Sequence, residues 1–474
     1  LFQQMQHKLV LLLCCLIGFA FAGHKVTKLP GYNGPELTQY TGYIEVNETL
    51  GKNLFYWLVL AQNNPSTAPL VVWFQGGPGC SGFEALFSEH GPYVPNYSGG
   101  IDPFPITWTS IANVLYFEQP VGVGFSYATH PEGYISSDSI SAQDNYNFLL
   151  KFLDEYPSFY GRPIWLAGES YGGVYIPSLV NLILKNTSTP LYHQLAGLTI
   201  GNPVIDCSDV NNEAMQFNLF YFHGLVSYTL YNEWSKYACD QEKRIGAKCT
   251  EIFAEAMKQI GTFYQQKRSA SSNEPNLDPD DLYEDFCTGN GTLNFAVQTG
   301  WPDQCWPLVD RETAYLNQKA VQEAIFAKPT NWSECADIIY EQSGASMLPI
   351  YQQLFTQRPD VRVLIFSGDV DIATVPFAGT QACLAQLGEN ATTNVWGPWY
   401  VNGATAGYYE EFEHYTYATI KGAGHMCPQY QPLTTFNLWS RFILNQDIAG
   451  EVPSFVPTYM TEGRRLHQSR GDGF

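Results

Sequence analysis

The chain has 474 residues, 45% of them hydrophobic and 15% charged, so it can bury a sizeable core and is not a disordered polymer. Its 24 Lys and Arg stand against 45 Asp and Glu, a formal net charge of −21. That balance argues against nucleic acid or an anionic membrane surface as a partner, because both need a cationic face, although acidity by itself also serves solubility.

The first segment reads as a targeting signal. Met5 opens a short basic stretch with His7 and Lys8, an apolar run follows over residues 9–22, and it ends in Ala20-Phe21-Ala22. This is the order of an n-region, an h-region and an Ala-x-Ala cleavage site, and the run is shorter than the ~20 residues that span a bilayer. Residues 1–22 are therefore expected to be removed, residues 1–4 being an upstream extension, and no stable membrane insertion is expected. The chain has eleven cysteines; Cys14 and Cys15 go with the signal, leaving nine. No C-x-x-C pair is present, so disulfides are a better reading than zinc, and an odd number leaves at least one thiol unpaired or intermolecular. Asn47, Asn96, Asn186, Asn290, Asn331 and Asn390 begin Asn-x-Ser/Thr sequons, as a secreted glycoprotein would carry.

Short apolar runs bounded by Gly, Pro or Asn predict strands at Leu70–Phe74, Asn113–Phe117, 164–167, 198–200, 361–366 and Tyr415–Ile420. Several are apolar on successive residues, as a strand covered on both faces requires. Between them, residues 141–155 place Tyr146, Leu149, Leu150 and Leu153 on one helical face. Strands alternating with helices predict an α/β fold with a mostly parallel sheet. The alternation breaks after Asn202. Residues 204–342 read as a largely helical insertion, or as a second domain, between core parts 23–203 and 343–450, with a polar tail at 451–474. Residues 265–281 form a polar stretch containing Lys267-Arg268, either an uncut surface loop or a processing site.

The chemistry concentrates at strand ends. Gly168-Glu169-Ser170-Tyr171-Gly172 follows an apolar strand and precedes a helix-like run, which is the context of a G-x-S-x-G nucleophile elbow. A serine nucleophile needs a base and an orienting carboxylate, which in such a fold follow in the order Ser, Asp/Glu, His. Of the late histidines, His414 precedes its strand and His467 lies in the polar tail, whereas His425 follows the strand Tyr415–Ile420 in a loop of small residues. Asp369 or Asp371, after the strand at 361–366, could serve by position alone. Gln75-Gly76-Gly77-Pro78-Gly79-Cys80, after Leu70–Phe74, is placed to supply oxyanion-hole amides.

Together, Trp73-Phe-Gln-Gly-Gly-Pro-Gly-Cys80-Ser81, Glu118-Gln-Pro-Val-Gly-Val-Gly-Phe-Ser126-Tyr127, Gly168-Glu-Ser-Tyr-Gly-Gly173, Gly368-Asp-Val-Asp371 and Gly424-His-Met426 resemble the serine carboxypeptidase signatures, in family order. The resemblance runs from about Lys28 to Phe442 and implies an α/β-hydrolase fold with a helical insertion, or lid. It implies Ser170 as nucleophile, His425 as base, Asp371 rather than Asp369 as orienting acid, and the Gly77 and Tyr171 amides as oxyanion hole. It implies Trp73, Gln75, Glu89 and Glu169 around the substrate's C-terminal carboxylate, and Tyr171 and Met426 in the side-chain pocket. Gln75 replaces the family's Asn, and Cys427 stands where an aliphatic residue is usual. The implied activity is acid-active release of single C-terminal residues from peptides or proteins, in the lysosome or vacuole or after secretion. An acyltransferase reusing the same triad and a non-catalytic partner protein on the same scaffold are the alternatives.

The resemblance also implies a Cys80–Cys335 disulfide, and local spacing suggests Cys239–Cys249 and Cys287–Cys305; Cys207, Cys383 and Cys427 are left open. No metal or organic cofactor is implied, since H-E-x-x-H, a P-loop and a Rossmann fingerprint are all missing. A homodimer is compatible with the sequence.

Overall fold

Among the described residues the central sheet has twelve strands, and ten of them frame the site: β1 (Gln39–Asn47), β2 (Lys52–Val59), β3 (Leu70–Phe74), β4 (Asn113–Phe117), β5 (Ile164–Glu169), β6 (Leu195–Gly201), β7 (Arg362–Gly368), β8 (Gly397–Val401), β9 (Ala404–Glu411) and β10 (Tyr415–Ile420). The computed structural model describes residues 23–207, 212–240, 246–260, 280–283, 308–392 and 395–450. The order across the sheet is β1-β2-β4-β3-β5-β6-β7-β10-β9-β8. From β4 to β10 the strands run parallel, and antiparallel strands close both edges. The mostly parallel α/β arrangement expected from the sequence is therefore present. Runs 164–167 and 198–200 are the inner parts of longer strands, and 361–366 starts one residue before β7.

Strand periodicity explains why the runs are mostly apolar on successive residues. Val72, Phe74, Leu166, Ile200, Val363 and Ile365 point into one buried cluster, shared with Phe148, Leu149, Phe152, Leu179 and Leu354 from helices on that face. Their neighbours Val71, Trp73, Trp165, Ala167, Leu364 and Phe366 enter the cluster on the other face, with Trp439 and Phe442. A sheet covered on both sides has no solvated face, so it lacks the regular polar alternate of a half-exposed strand. Helix α1 (Asp138–Glu155) starts three residues before the expected 141 because the Ser137 side chain caps it, accepting from Ile140 N at 3.3 Å. It lies against α2 (Gly172–Lys185) and buries Phe148, Leu149 and Phe152, each contributing about 1.5–3 kcal/mol.

The segment expected as an insertion splits between two kinds of packing. Helices α3 (Asn212–Phe222), α4 (Tyr228–Lys236) and α5 (Ala247–Ile260) carry their own cluster of Phe217, Phe220, Trp234 and Ile252, which also takes in Ile372 from the turn after Asp371. Tyr315, Leu316, Val321, Ile325 and Trp332 pack instead into the main core. Disulfides join Cys80 to Cys335, Cys207 to Cys383 and Cys239 to Cys249, and Cys427 is a buried free thiol. Cys287, Cys305, Asn290, the Lys267-Arg268 stretch, the signal segment and the tail lie outside the described residues. Of the other sequons, Asn186, Asn331 and Asn390 are exposed and Asn47 and Asn96 half-buried.

Candidate active site

Ser170 sits where β5 turns into α2, with φ +55°, a left-handed conformation that costs a non-glycine residue about 1–3 kcal/mol. The surroundings enforce it. Ser170 N donates to Gly201 O at 3.0 Å, and Ser170 O accepts from Gly173 N and Val204 N at 2.9 Å each. The turn is tight enough that a Cβ on Gly168 or Gly172 would lie 2.5 or 2.8 Å from Phe74 O. A Cβ on Gly76 would stand 3.0 Å from Ser170 Oγ and 2.9 Å from Tyr171 N, so the glycine loop after β3 abuts the serine hydroxyl and the next amide.

Parallel strands bring the remaining groups to the same edge. Asp371 follows β7 and His425 follows β10, at the carboxyl ends of strands that neighbour one another. His425 Nδ1 lies 2.7 Å from Asp371 Oδ2. Asp371 is wholly buried and accepts further from Asn202 Nδ2 at 2.9 Å, Thr374 N at 3.0 Å and Val375 N at 3.1 Å. Burial alone would lower the imidazole pKa. The Asp371 carboxylate and its hydrogen bond, with Asp280 and Glu89, outweigh burial and raise it above the ordinary 6.5. Asp369 faces elsewhere, accepting from Gly422 N at 2.6 Å.

Asn202 was not singled out in the sequence, yet it locks Asp371. Its Oδ1 accepts from Gly368 N at 3.0 Å and from Cys427 Sγ at 3.2 Å, so its Nδ2 can only face the carboxylate. The available signal was its place directly after β6, at the same sheet edge. The unusual Cys427 thus supports the residue that holds Asp371, and burial pushes its thiol pKa well up.

Beside Ser170 lies a set of buried carboxyls. Trp73 Nε1 donates to Gln75 Oε1 at 2.6 Å, and Gln75 Nε2 donates to Glu169 Oε1 at 2.8 Å and to Glu84 Oε2 at 3.0 Å. Glu89 is buried next to them at the end of a wide helical turn, Ala85–Glu89, and among the described residues neither of its oxygens lies within good hydrogen-bond geometry of a partner. Burial pushes Glu89 up to about 8, while neighbouring Gln75, Glu169 and His425 pull the other way. Burial and the Glu89 carboxyl hold Glu169 well above the ordinary carboxylate range. Close buried carboxyls titrate together and retain a proton that an isolated one would lose. Glu84 was also missed, since nothing in its local sequence separates it from a helix-surface glutamate.

Tyr171 OH donates to Asp138 Oδ1 at 2.7 Å, and Asp138 also receives Tyr340 OH at 2.8 Å and Ser343 N at 2.7 Å. Met426 is half-buried directly after His425. A separate group, Glu389, Glu413 and His414, gathers ligand-type atoms within 4.8 Å of one another next to the amino end of β10, opposite His425. No described helix is long and apolar enough to cross a membrane.

The serine carboxypeptidase family profile matches residues 30–445. Serine carboxypeptidase-like 38 of Arabidopsis thaliana is 37% identical over 447 residues, covering 89% of this chain and 86% of the relative. Serine carboxypeptidase 1 of Hordeum vulgare is 33% identical over 470 residues, covering 89% and 92%. A solved prohormone-processing carboxypeptidase from Saccharomyces cerevisiae shares the fold with a TM-score of 0.65 at 18% identity, over 86% of this chain and 92% of that one. With a profile spanning most of its length and relatives at 33–37% identity along nearly all of it, the chain belongs to the serine carboxypeptidase family.

Proposed function

We propose that the protein is a serine carboxypeptidase that releases single C-terminal amino acids through an acyl-enzyme. The observation that carries this reading is the His425–Asp371 pair at the same carboxyl edge of the parallel sheet as Ser170, together with buried, proton-retaining Glu169, next to the serine in the chain, and Glu89. Ser170 Oγ attacks the last peptide carbonyl while His425 Nε2 takes its proton, then returns it to the departing amino acid's nitrogen. Water repeats the sequence on the ester. Asp371 holds the tautomer that leaves Nε2 free, and the Gly77 and Tyr171 amides stabilise the oxyanion. Trp73 and Gln75 orient Glu169, and Glu169 and Glu89, protonated, donate to the substrate carboxylate. A binding site for a free carboxylate favours peptide release over transfer or a scaffold role.

Both limbs of the pH profile follow from the charges. As pH falls through the raised imidazole pKa, His425 is protonated and cannot accept the serine proton. As pH rises through about 8, Glu89 ionises and repels the substrate carboxylate. These directions move the expected kcat/KM maximum upward from the acid range implied by the resemblance, toward neutrality. Blocked dipeptides with a free or esterified C-terminus, assayed across pH, test this. The basic limb is expected for the free acid alone, and equal turnover of acid and ester at every pH would refute the carboxylate site.

The preferred penultimate residue is hydrophobic in this reading. The turn after Asp371 reads Ile372-Ala373-Thr374, Ile372 is buried against the α3–α5 cluster, and Asp138 beside Tyr171 is already satisfied by three donors. An apolar side chain gains about 1.5–3 kcal/mol on full burial, whereas a basic one loses hydration without an ion pair. Blocked Phe-Leu should show the higher kcat/KM against blocked Arg-Leu. The reverse ranking would assign to the pocket half-buried Asp206, near Tyr171 and Asp138, or Asp280, which accepts from Thr374 Oγ1 in that turn.

The three disulfides and the signal-like leader support passage through an oxidising secretory compartment, ending in a lysosome or vacuole or outside the cell.

A further inference from the structure

The Gln75 carboxamide offers one acceptor and two N–H donors, and all three are engaged. Trp73 carries a single donor and fixes the oxygen end, which leaves the two N–H groups on Glu169 and Glu84. An incoming carboxylate can therefore gain a Gln75 N–H only by taking it from one of these glutamates. Glu169 is 2% exposed and Glu84 8%, so Glu84 is the more accessible of the two.

We propose that Glu84 is a third, specificity-determining carboxyl of the recognition cluster, competing with the substrate's C-terminal carboxylate for the Gln75 amide and so lowering the upper pH limit for free-acid substrates below the one Glu89 alone would set. This rests on Glu89 and Glu169 forming the carboxylate site. The groups that act on Glu84 are Glu334, from the segment tied to the glycine loop by Cys80–Cys335, then Glu89, Glu169 and Glu312 from the helix Leu308–Leu316. All are acidic, and after burial itself they favour the protonated form of Glu84. Protonated, Glu84 holds the amide by a neutral hydrogen bond, which a charged carboxylate displaces because charge-assisted bonds are about twice as strong. Ionised, Glu84 keeps the N–H by a charge-assisted bond of its own and repels the substrate.

The experiment measures kcat/KM against pH for a blocked dipeptide and its methyl ester with wild type, Glu84→Gln, Glu84→Ala and Glu84→Asp. Glu84→Gln keeps the volume without the charge, and Glu84→Ala vacates the N–H. In both, the basic limb for the free acid should move up by about one pH unit, raising the acid-to-ester ratio on that limb about tenfold, and Glu84→Asp should move it back. A purely structural role lowers both substrates together without moving the limb, and unmoved limbs in both Glu84→Gln and Glu84→Ala overturn the proposal. A wild type with no preference for the free acid overturns the carboxylate-site reading, and this proposal with it.

Discussion

Ser170→Ala is expected to lower kcat by about 10⁵- to 10⁶-fold, because removing the nucleophile leaves only oxyanion stabilisation and binding. The substitution deletes one oxygen and keeps the Cβ, so the strained φ of +55° is neither relieved nor worsened. The backbone bonds that enforce the turn, from Gly173 N and Val204 N to the residue 170 carbonyl, do not involve the side chain. Thermal stability should therefore stay within about 0.5–1 kcal/mol of wild type. Binding of a free-acid peptide should be retained, since Glu89, Glu169 and Gln75 are untouched. Single-turnover assays beside a melting curve and equilibrium peptide binding separate the three. Turnover above about one-thousandth of wild type, in protein free of contaminating activity, would place the nucleophile elsewhere.

Each member of the proposed triad follows a readable signal in the sequence. Ser170 lies between an apolar strand and a helix-like run, and His425 and Asp371 follow largely apolar strands, broken only by Thr416 and Thr419 in one and by Arg362 and Ser367 in the other. The choice between Asp369 and Asp371 was not legible from position, because both follow the same strand; the family resemblance made it. In space they differ plainly, Asp371 meeting His425 and Asp369 the Gly422 amide. The antiparallel edges were passed over for different reasons. β1 mixes buried and half-exposed residues with Thr and Gly, so its pattern is weak. β2 is apolar and aromatic from Leu54 to Val59 and is absent from the strands predicted above. The β8–β9 hairpin announces itself by Asn402-Gly403, both with positive φ as a two-residue turn requires.

What could not be read was anything that depends on which buried polar groups meet. Lone asparagines and glutamates carry no periodicity. Asn202 and Glu84 become functional candidates only when distant segments are placed beside them: β7, Cys427 and Asp371 around the first, Gln75 and Glu334 around the second. Glu118 is a further case. Buried, it accepts from Ser81 Oγ at 2.7 Å, Trp332 Nε1 at 2.7 Å and Phe125 N at 2.6 Å, tying the glycine loop to two segments that the sequence separates widely.

Asp371→Asn is expected to lower kcat by about 10⁴-fold while leaving the fold intact. Every described partner of the Asp371 carboxyl is a donor: His425 Nδ1 and Asn202 Nδ2 on Oδ2, Thr374 N on Oδ1 and Val375 N on both. An amide offers one acceptor and one donor end. The backbone N–H groups of Thr374 and Val375 cannot turn, so they claim the oxygen and leave the NH₂ facing His425 and Asn202. Asn202 cannot flip to accept, because its oxygen is held by Gly368 N and Cys427 Sγ. The imidazole must then accept at Nδ1 and carry its proton on Nε2, the tautomer that cannot take the serine proton. The pH profile provides a second readout. The carboxylate is the main cause raising the His425 pKa, so without it burial prevails and the acid limb of the residual activity moves to lower pH. Asp369→Asn, by contrast, disturbs the turn at Gly422 and the charges of His223 and Lys421 nearby, not His425, and should stay within about tenfold of wild type. If Asp371→Asn keeps more than about one-hundredth of the activity while Asp369→Asn loses it, the orienting acid is Asp369.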